Sequence, residues 1–284
     1  MTELPDPVPP LPRPDPGLKR DLPNSEAFEW LAAGWRDFKT QCGPSLAYGF
    51  AVFLISWIVI GTLVMFSYDY ILFPALSGFI VVGPVLAIGL YEKSRRLSEG
   101  EPVSLVNMIL VRSKSGPQVF FTGVLLALLM LLWMRSAVLL YALFYGLTPF
   151  PGLSEVIGLL FTTTTGWALV IVGSLVGGLF AAFAFAISVF GIPMLLNERT
   201  DALTAMGTSM AMVWNNLSVM LTWGAIVVAL SALGVLTGLV GLIIVFPVLG
   251  HGTWHAYKAV RRQVHIDELE REATARENYS EATT

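Results

Sequence analysis

Apolar runs of 20 residues and more recur along this chain, and no other feature limits its fold as strongly. The run from Gln118 to Gly146, QVFFTGVLLALLMLLWMRSAVLLYALFYG, carries a single charge, Arg135. About 20 apolar residues in a helix cross the hydrocarbon of a bilayer. In lipid the backbone has no water to bond, so helices are the form such runs take. Six segments qualify: Ser45–Phe66, Ile71–Tyr91, Gln118–Gly146, Gly166–Leu196, Leu217–Val235 and Gly238–Tyr257. The third and fourth exceed the hydrocarbon thickness and are expected to tilt or protrude. Only 13% of the 284 residues are charged, about half the proportion of a soluble domain. The chain therefore reads as an all-α, six-span membrane protein.

Charge placement orients it. Arg13, Lys19, Arg20, Arg36 and Lys39 precede the first span, and Lys93, Arg95, Arg96, Arg112 and Lys114 lie between the second and third. Arg199 follows the fourth span, and Lys258, Arg261 and Arg262 follow the sixth, whereas loops 67–70, 147–165 and 236–237 hold no Lys or Arg. The positive-inside rule puts both termini in the cytoplasm. Residues 1–24 read as a disordered, proline-rich cytoplasmic tail rather than a signal peptide, since they lack an apolar core. Residues 25–262 form the membrane domain, and 263–284 a polar C-terminal tail.

The membrane domain contains an internal echo. GFIVVGPVLAIGLY (Gly78–Tyr91) aligns without gaps on GLIIVFPVLGHGTW (Gly241–Trp254), matching Pro84 with Pro247. Pro193 holds a similar place in the fourth span. Each odd-numbered span follows a short segment with helical apolar spacing: Phe28, Leu31, Trp35 and Phe38; Leu105, Met108, Ile109 and Arg112; Leu203, Met206, Met210 and Val213. These are too short to span and suit the cytoplasmic interface. The expected architecture is three units, about 25–92, 100–197 and 198–262, each an interfacial amphipathic helix followed by a transmembrane hairpin. Pro84, Pro193 and Pro247 would kink the second helix of each hairpin. Glycines at small-residue spacing (Gly173, Gly177 and Gly178; Gly234, Gly238 and Gly241) favour tight helix packing.

Polar residues at membrane depth are the functional candidates. Arg135 is the costliest, at least ~2.5–3.5 kcal/mol on insertion scales. It either snorkels to the non-cytoplasmic side, pairs with Asp69 or Glu155, or meets a substrate or headgroup. Thr162–Thr165 would cap the fourth span or line a polar path. His251 and His255, four apart, share a helical face one and two turns past Pro247. As interface anchors they need no ligand; as a pair they suit a proton relay or a weak metal site with Glu92, which the internal alignment places opposite His255. A structural zinc wants four ligands and a b-type haem wants histidines on facing helices. With three histidines and the single Cys42 in the chain, no metal centre or cofactor is expected. Cys42 reads as a small apolar residue at the start of the first span. No hydrolase, P-loop, Rossmann or zincin motif is present, and no basic platform suits nucleic acid.

GWRDF…SLAYGF, VGPVLAIGLYEKSRRLSEGE and PVLGHGTWHAYKAVRR together resemble an uncharacterised family of bacterial integral membrane proteins, a domain of unknown function found mainly in proteobacteria. The resemblance covers about residues 25–262 and implies an inner-membrane location. Some members carry the label putative cytochrome c oxidase subunit I. The leading functional expectation is a non-enzymatic accessory, assembly or scaffold protein that acts on the lipid bilayer or on another membrane protein, and that could form an oligomer. The alternative is a small transporter or channel using Arg135 and the proline-kinked helices. Third stands a protein associated with a respiratory complex or a redox cofactor.

Overall fold

The computed structural model describes residues 22–146, 148 and 150–261, so the proline-rich and polar tails lie outside the described residues. Those residues form helices and turns without a strand. In order the helices are α1 (Glu26–Lys39), α2 (Cys42–Met65), α3 (Leu72–Leu86), α4 (Ile88–Glu99), α5 (Leu105–Ile109) and α6 (Gly116–Tyr145). They continue as α7 (Leu153–Thr162), α8 (Thr164–Ser188), α9 (Gly191–Asn197), α10 (Ala202–Asn215) and α11 (Leu217–Leu236). A final helix, α12, runs through 242–261. Five stretches are long and apolar enough to cross a membrane: α2, α3 with α4, α6, α8 with α9, and α11. The second half of α12 carries His251, Thr253, His255 and Lys258, which sets it apart from these five.

Burial is uneven. The five long stretches bury only 11–22% of their apolar windows, as bilayer-facing surfaces do, whereas the first half of α4, all but the end of α9 and most of the second half of α12 are buried. These buried segments meet α1, α5 and α10 at one end of the bundle, called here the capped end, where most of the core lies.

Helix α12 is the axis of that end, because glycines let its neighbours come within backbone contact. A Cβ on Gly34 of α1 would stand 2.5 Å from the Val248 carbonyl and 2.6 Å from the Gly252 nitrogen. On Gly49 of α2 it would stand 2.2 Å from the Ile243 carbonyl, the one that Pro247 leaves without its helical donor. Gly250 lies against Leu90 of α4, and Gly252 lies against Trp223 of α11. The indoles of Trp30 and Trp223 meet edge to face, 6.0 Å between centroids, beside Gly252. Of the glycines read as packing positions, Gly177 abuts Trp133 and Gly234 abuts Leu242, but Gly173 and Gly178 face open space. Gly238 and Leu239 instead make the α11–α12 turn with positive φ, so the last helix starts later than the apolar run does.

Two of the three prolines lie beside helix breaks, and a hydroxyl from another helix repairs each break. Near Pro84 the chain breaks at Ala87, where the Leu90 amide turns back to the Ala87 carbonyl. The freed Leu86 carbonyl accepts from the Tyr48 hydroxyl of α2 at 2.7 Å. The break at Val189–Phe190, just before Pro193, is bridged by Ser209 of α10, which accepts from the Phe190 amide and donates to the Ala186 carbonyl. Helix α12 stays continuous through Pro247.

Three expectations are revised by packing. The inner face of α1 is Ala27, Trp30, Ala33, Gly34 and Phe38, while Phe28 and Trp35 point outward. On α10 the inner residues are Ala202, Ala205, Ser209, Met212 and Val213, with Leu203 and Met210 outside. Backbone-close packing on the core selects small residues for the inner face, so the large apolar stripe lies mostly on the other side. The segment read as a loop at 147–165 contains α7, packed on α8.

Gly49→Ala is expected to lower stability by about 1–3 kcal/mol through overpacking against α12. Gly61→Ala, whose Cβ meets nothing within 4 Å, is expected to be neutral or slightly stabilising. Thermal unfolding in detergent checks the contrast; equal effects would contradict the α2–α12 contact.

Candidate functional site

A chain of buried polar side chains crosses the capped end beside α12. Lys93 of α4 donates to the Gln41 carbonyl at 3.0 Å and to Ser45 Oγ at 2.8 Å. Ser45 lies 3.0 Å from Nε2 of His251, whose Nδ1 lies 2.9 Å from Ser94 Oγ and 3.1 Å from the Leu90 carbonyl. Ser94 donates to Asp37 Oδ2 at 2.6 Å, and the same oxygen lies 2.8 Å from Nε2 of His255. Six side chains from α1, α2, α4 and α12 are thus joined without a gap. Ser45, Lys93, Ser94 and His251 are at most 1% exposed.

Donor counting sets the direction of every bond. The Leu90 carbonyl can only accept, so Nδ1 of His251 carries a proton. Lys93 donates to Ser45, which leaves the Ser45 hydroxyl free to donate to a bare Nε2. Ser94 spends its proton on Asp37 and accepts from Nδ1. His251 is therefore a neutral Nδ1–H imidazole, and the chain runs one way, from the Lys93 ammonium to the Asp37 carboxylate. A protonated ring would set a second cation beside Lys93. The two ends are opposite in charge, and Lys93 has no direct carboxylate partner among the described residues. The chain thus provides a bonded route between a buried cation and a partly exposed anion.

Local structure explains the placement. Gln41 joins α1 to α2 in the left-handed region, φ 52°, an uncommon conformation for a residue with a Cβ. The Lys93 bond to its carbonyl holds that turn. Asp37 sits in the last turn of α1, and the helix break at Ala87 lets α4 bring Leu90, Lys93 and Ser94 against α12. Burial alone would raise the Asp37 carboxyl, but the hydrogen bonds from His255 and Ser94 outweigh it and hold the carboxyl below its ordinary 3.8.

The remaining candidates lie elsewhere. Glu92 is buried but accepts from Arg95 Nε and Nη2 at 2.9 and 3.0 Å and from Arg96 Nε at 2.6 Å. It is thus committed to the end of α4 and apart from the histidines. Among the described residues no three His, Cys, Asp or Glu side chains converge to hold a metal. Arg135 is exposed on α6 with no ion-pair partner among the described residues, and Glu155 is exposed in the first turn of α7. Asp69 starts a short 3-10 turn, and its side chain lies outside the described residues. Thr163 caps α8, accepting from the Gly166 amide at 2.9 Å. Thr162 donates back to the Gly158 carbonyl of α7.

A second polar clasp was not foreseen. Glu198, just past α9, accepts from the Tyr257 hydroxyl at 2.6 Å and from Arg261 at 3.0 and 2.9 Å, tying the end of α12 to α9. Ser115 fastens the start of α6 to the same loop by donating to the Glu198 carbonyl and accepting from the Thr200 amide. Burial raises the Glu198 carboxyl, but Arg261 and Tyr257 more than offset this and hold it below its ordinary 4.5.

Residues 72–197, which include α3 through α9, match the model of a family described as "Predicted integral membrane protein (DUF2189)", a family of unknown function. No curated protein and no solved structure matches the chain.

His251→Leu removes the acceptor of the Ser45 hydroxyl and the donor to Ser94 and the Leu90 carbonyl, and is expected to cost about 1–3 kcal/mol. Arg135→Leu is expected to cost nothing measurable in the same thermal melt. Acid should also destabilise the capped end. Asp37 and Glu198 have lowered folded values, so their contribution is complete above about pH 4.5 and is lost as pH falls through the lower folded values. Melts recorded from pH 6 down to about pH 3 should show that fall, and Asp37→Asn should flatten part of it.

Proposed function

We propose that this protein is a non-catalytic scaffold or accessory protein of a bacterial inner membrane. It has six spans, with α12 as the sixth, and both termini in the cytoplasm. Its three units each pair an interfacial helix (α1, α5 or α10) with a transmembrane hairpin. The capped end is the cytoplasmic one in this reading, since Arg36, Lys39, Arg95, Arg96, Lys114 and Arg261 all cluster there while loops 67–70 and 236–237 hold no Lys or Arg. The sequence resemblance supports the bacterial inner membrane.

One observation carries the scaffold reading: the buried polar chain begins and ends at the capped end. Lys93 closes on the α1–α2 turn, and Asp37 and His255 reach its part-exposed edge. A transport route needs polar groups continuing to the opposite face. Arg135, the strongest charge at depth, points away from this chain into exposed surroundings. The network acts as a lock that fixes four helices in one arrangement. Outside it, Phe28, Trp35, Ile109, Leu110, Leu203 and Trp214 leave apolar surface on α1, α5 and α10, suited to the headgroup boundary or to a membrane partner.

In proteoliposomes carrying a pH gradient, the purified protein is expected to dissipate it no faster than empty vesicles. Gradient loss that His251→Leu abolishes would overturn the scaffold reading in favour of proton transport. Orientation is tested at the exposed native Cys42. A membrane-impermeant maleimide should label it only after spheroplasts are lysed, and labelling of intact spheroplasts would reverse the topology.

A further inference from the structure

We propose that the junction between the α5–α6 link and the α9–α10 link binds the phosphate of an acidic phospholipid. Backbone pairing brings the two links together: the Lys114 and Ser115 amides donate to the Leu196 and Leu195 carbonyls, each at 3.2 Å. Ser115 Oγ joins them again through Glu198 and Thr200, and Gln118 Oε1 accepts from the Ala202 amide at 3.1 Å. Three cations, Arg112, Lys114 and Arg199, therefore stand on one fixed platform. All three are exposed, and none has an ion-pair partner among the described residues. Between Arg112 and Lys114 the Ser113 Oγ is buried without a hydrogen-bond partner, a further donor lacking an acceptor.

Charge and surroundings together name the occupant. Two carboxylates lie close by. Glu198 feels Lys114 but is bonded to Arg261 and Tyr257, and Asp201 caps α10 by accepting from the Thr204 amide at 2.9 Å. Arg261 balances Glu198, and Asp201 offsets one of the three cations, so two positive charges remain for a ligand. The positive end of the 30-residue helix α6 starts at the same place. From there Phe120, Val124 and Leu128, spaced four apart on one helical face, leave an exposed apolar track along a membrane-crossing helix. Leu110 and Leu203, within four residues of the cations, are exposed too. Fixed cations at the head of an apolar track fit an anion that carries acyl chains. Inorganic phosphate or an acidic soluble peptide would match the charge and leave the track uncovered. The inference rests on the reading that the capped end meets the headgroup boundary. It does not depend on the scaffold role: proton transport in vesicles or reversed labelling of Cys42 would leave it untouched.

The test is native mass spectrometry of the full chain in detergent, with equal amounts of dioleoyl phosphatidylglycerol and dioleoyl phosphatidylcholine added. Phosphatidylglycerol is expected to stay bound in preference. Arg112→Gln, Lys114→Gln and Arg199→Gln should each weaken its retention about fivefold, the worth of one basic residue at an acidic lipid surface. The three side chains are exposed, and thermal melts confirm that each variant folds. A double variant, Arg36→Gln with Lys39→Gln, removes two exposed cations of the same end from α1 and should leave the preference unchanged. Inorganic phosphate, balanced against chloride for ionic strength, should not displace the lipid. Equal retention of the two lipids would overturn the proposal, as would a preference that the α1 variant lowers as far as the junction variants do. Displacement of phosphatidylglycerol by inorganic phosphate would overturn the lipid assignment in favour of a free anion.

Discussion

The architecture depends on how closely other helices approach α12. Gly34 and Gly49 bring α1 and α2 onto its backbone, and Gly250 and Gly252 let Leu90 and Trp223 close from two further sides. Only with this packing can His251 reach Ser45 on α2 and Ser94 on α4 at once. A bundle held apart by large side chains would leave the imidazole and the Lys93 ammonium buried without partners, at a cost of several kcal/mol. Small residues and polar residues are thus two parts of one device: close packing excludes water, and the absence of water makes each hydrogen bond obligatory.

The same logic explains why the two ends of the molecule differ. Toward the capped end, helices break near Pro84 and Pro193, and the freed backbone groups need partners. Tyr48 and Ser209 supply them. Beyond the breaks the first half of α4 and nearly all of α9 turn inward and are buried. Away from that end the long helices expose apolar side chains and have little buried polar chemistry to satisfy. Lipid, rather than protein, surrounds that part in the reading proposed here.

Much of this was legible in the sequence, and some was not, for identifiable reasons. The long helices announce themselves by hydropathy: Ser45–Phe66 was expected where Cys42–Met65 forms, and Gln118–Gly146 where Gly116–Tyr145 forms. His251 stood out because a histidine in an apolar run is unusual. Its partners did not, because Ser45, Asp37, Lys93 and Ser94 sit near span ends, where serines, aspartates and lysines ordinarily meet water. The inward faces of α1 and α10 were misread because apolar spacing marks the larger side chains, while backbone contact selects alanine, glycine and serine. The internal alignment set Glu92 opposite His255, but alignment carries no information about Arg95 and Arg96, one turn on, which claim that carboxylate.

The central claim is that His251 is a neutral link in a one-way hydrogen-bond chain. Nitrogen-15 NMR of the histidine-labelled protein in detergent near neutral pH reads the state of each ring nitrogen directly. The account predicts that His251 has a protonated Nδ1 and a bare Nε2, and that Ser45→Ala perturbs the Nε2 signal first. An Nε2–H tautomer or an imidazolium at His251 would contradict it.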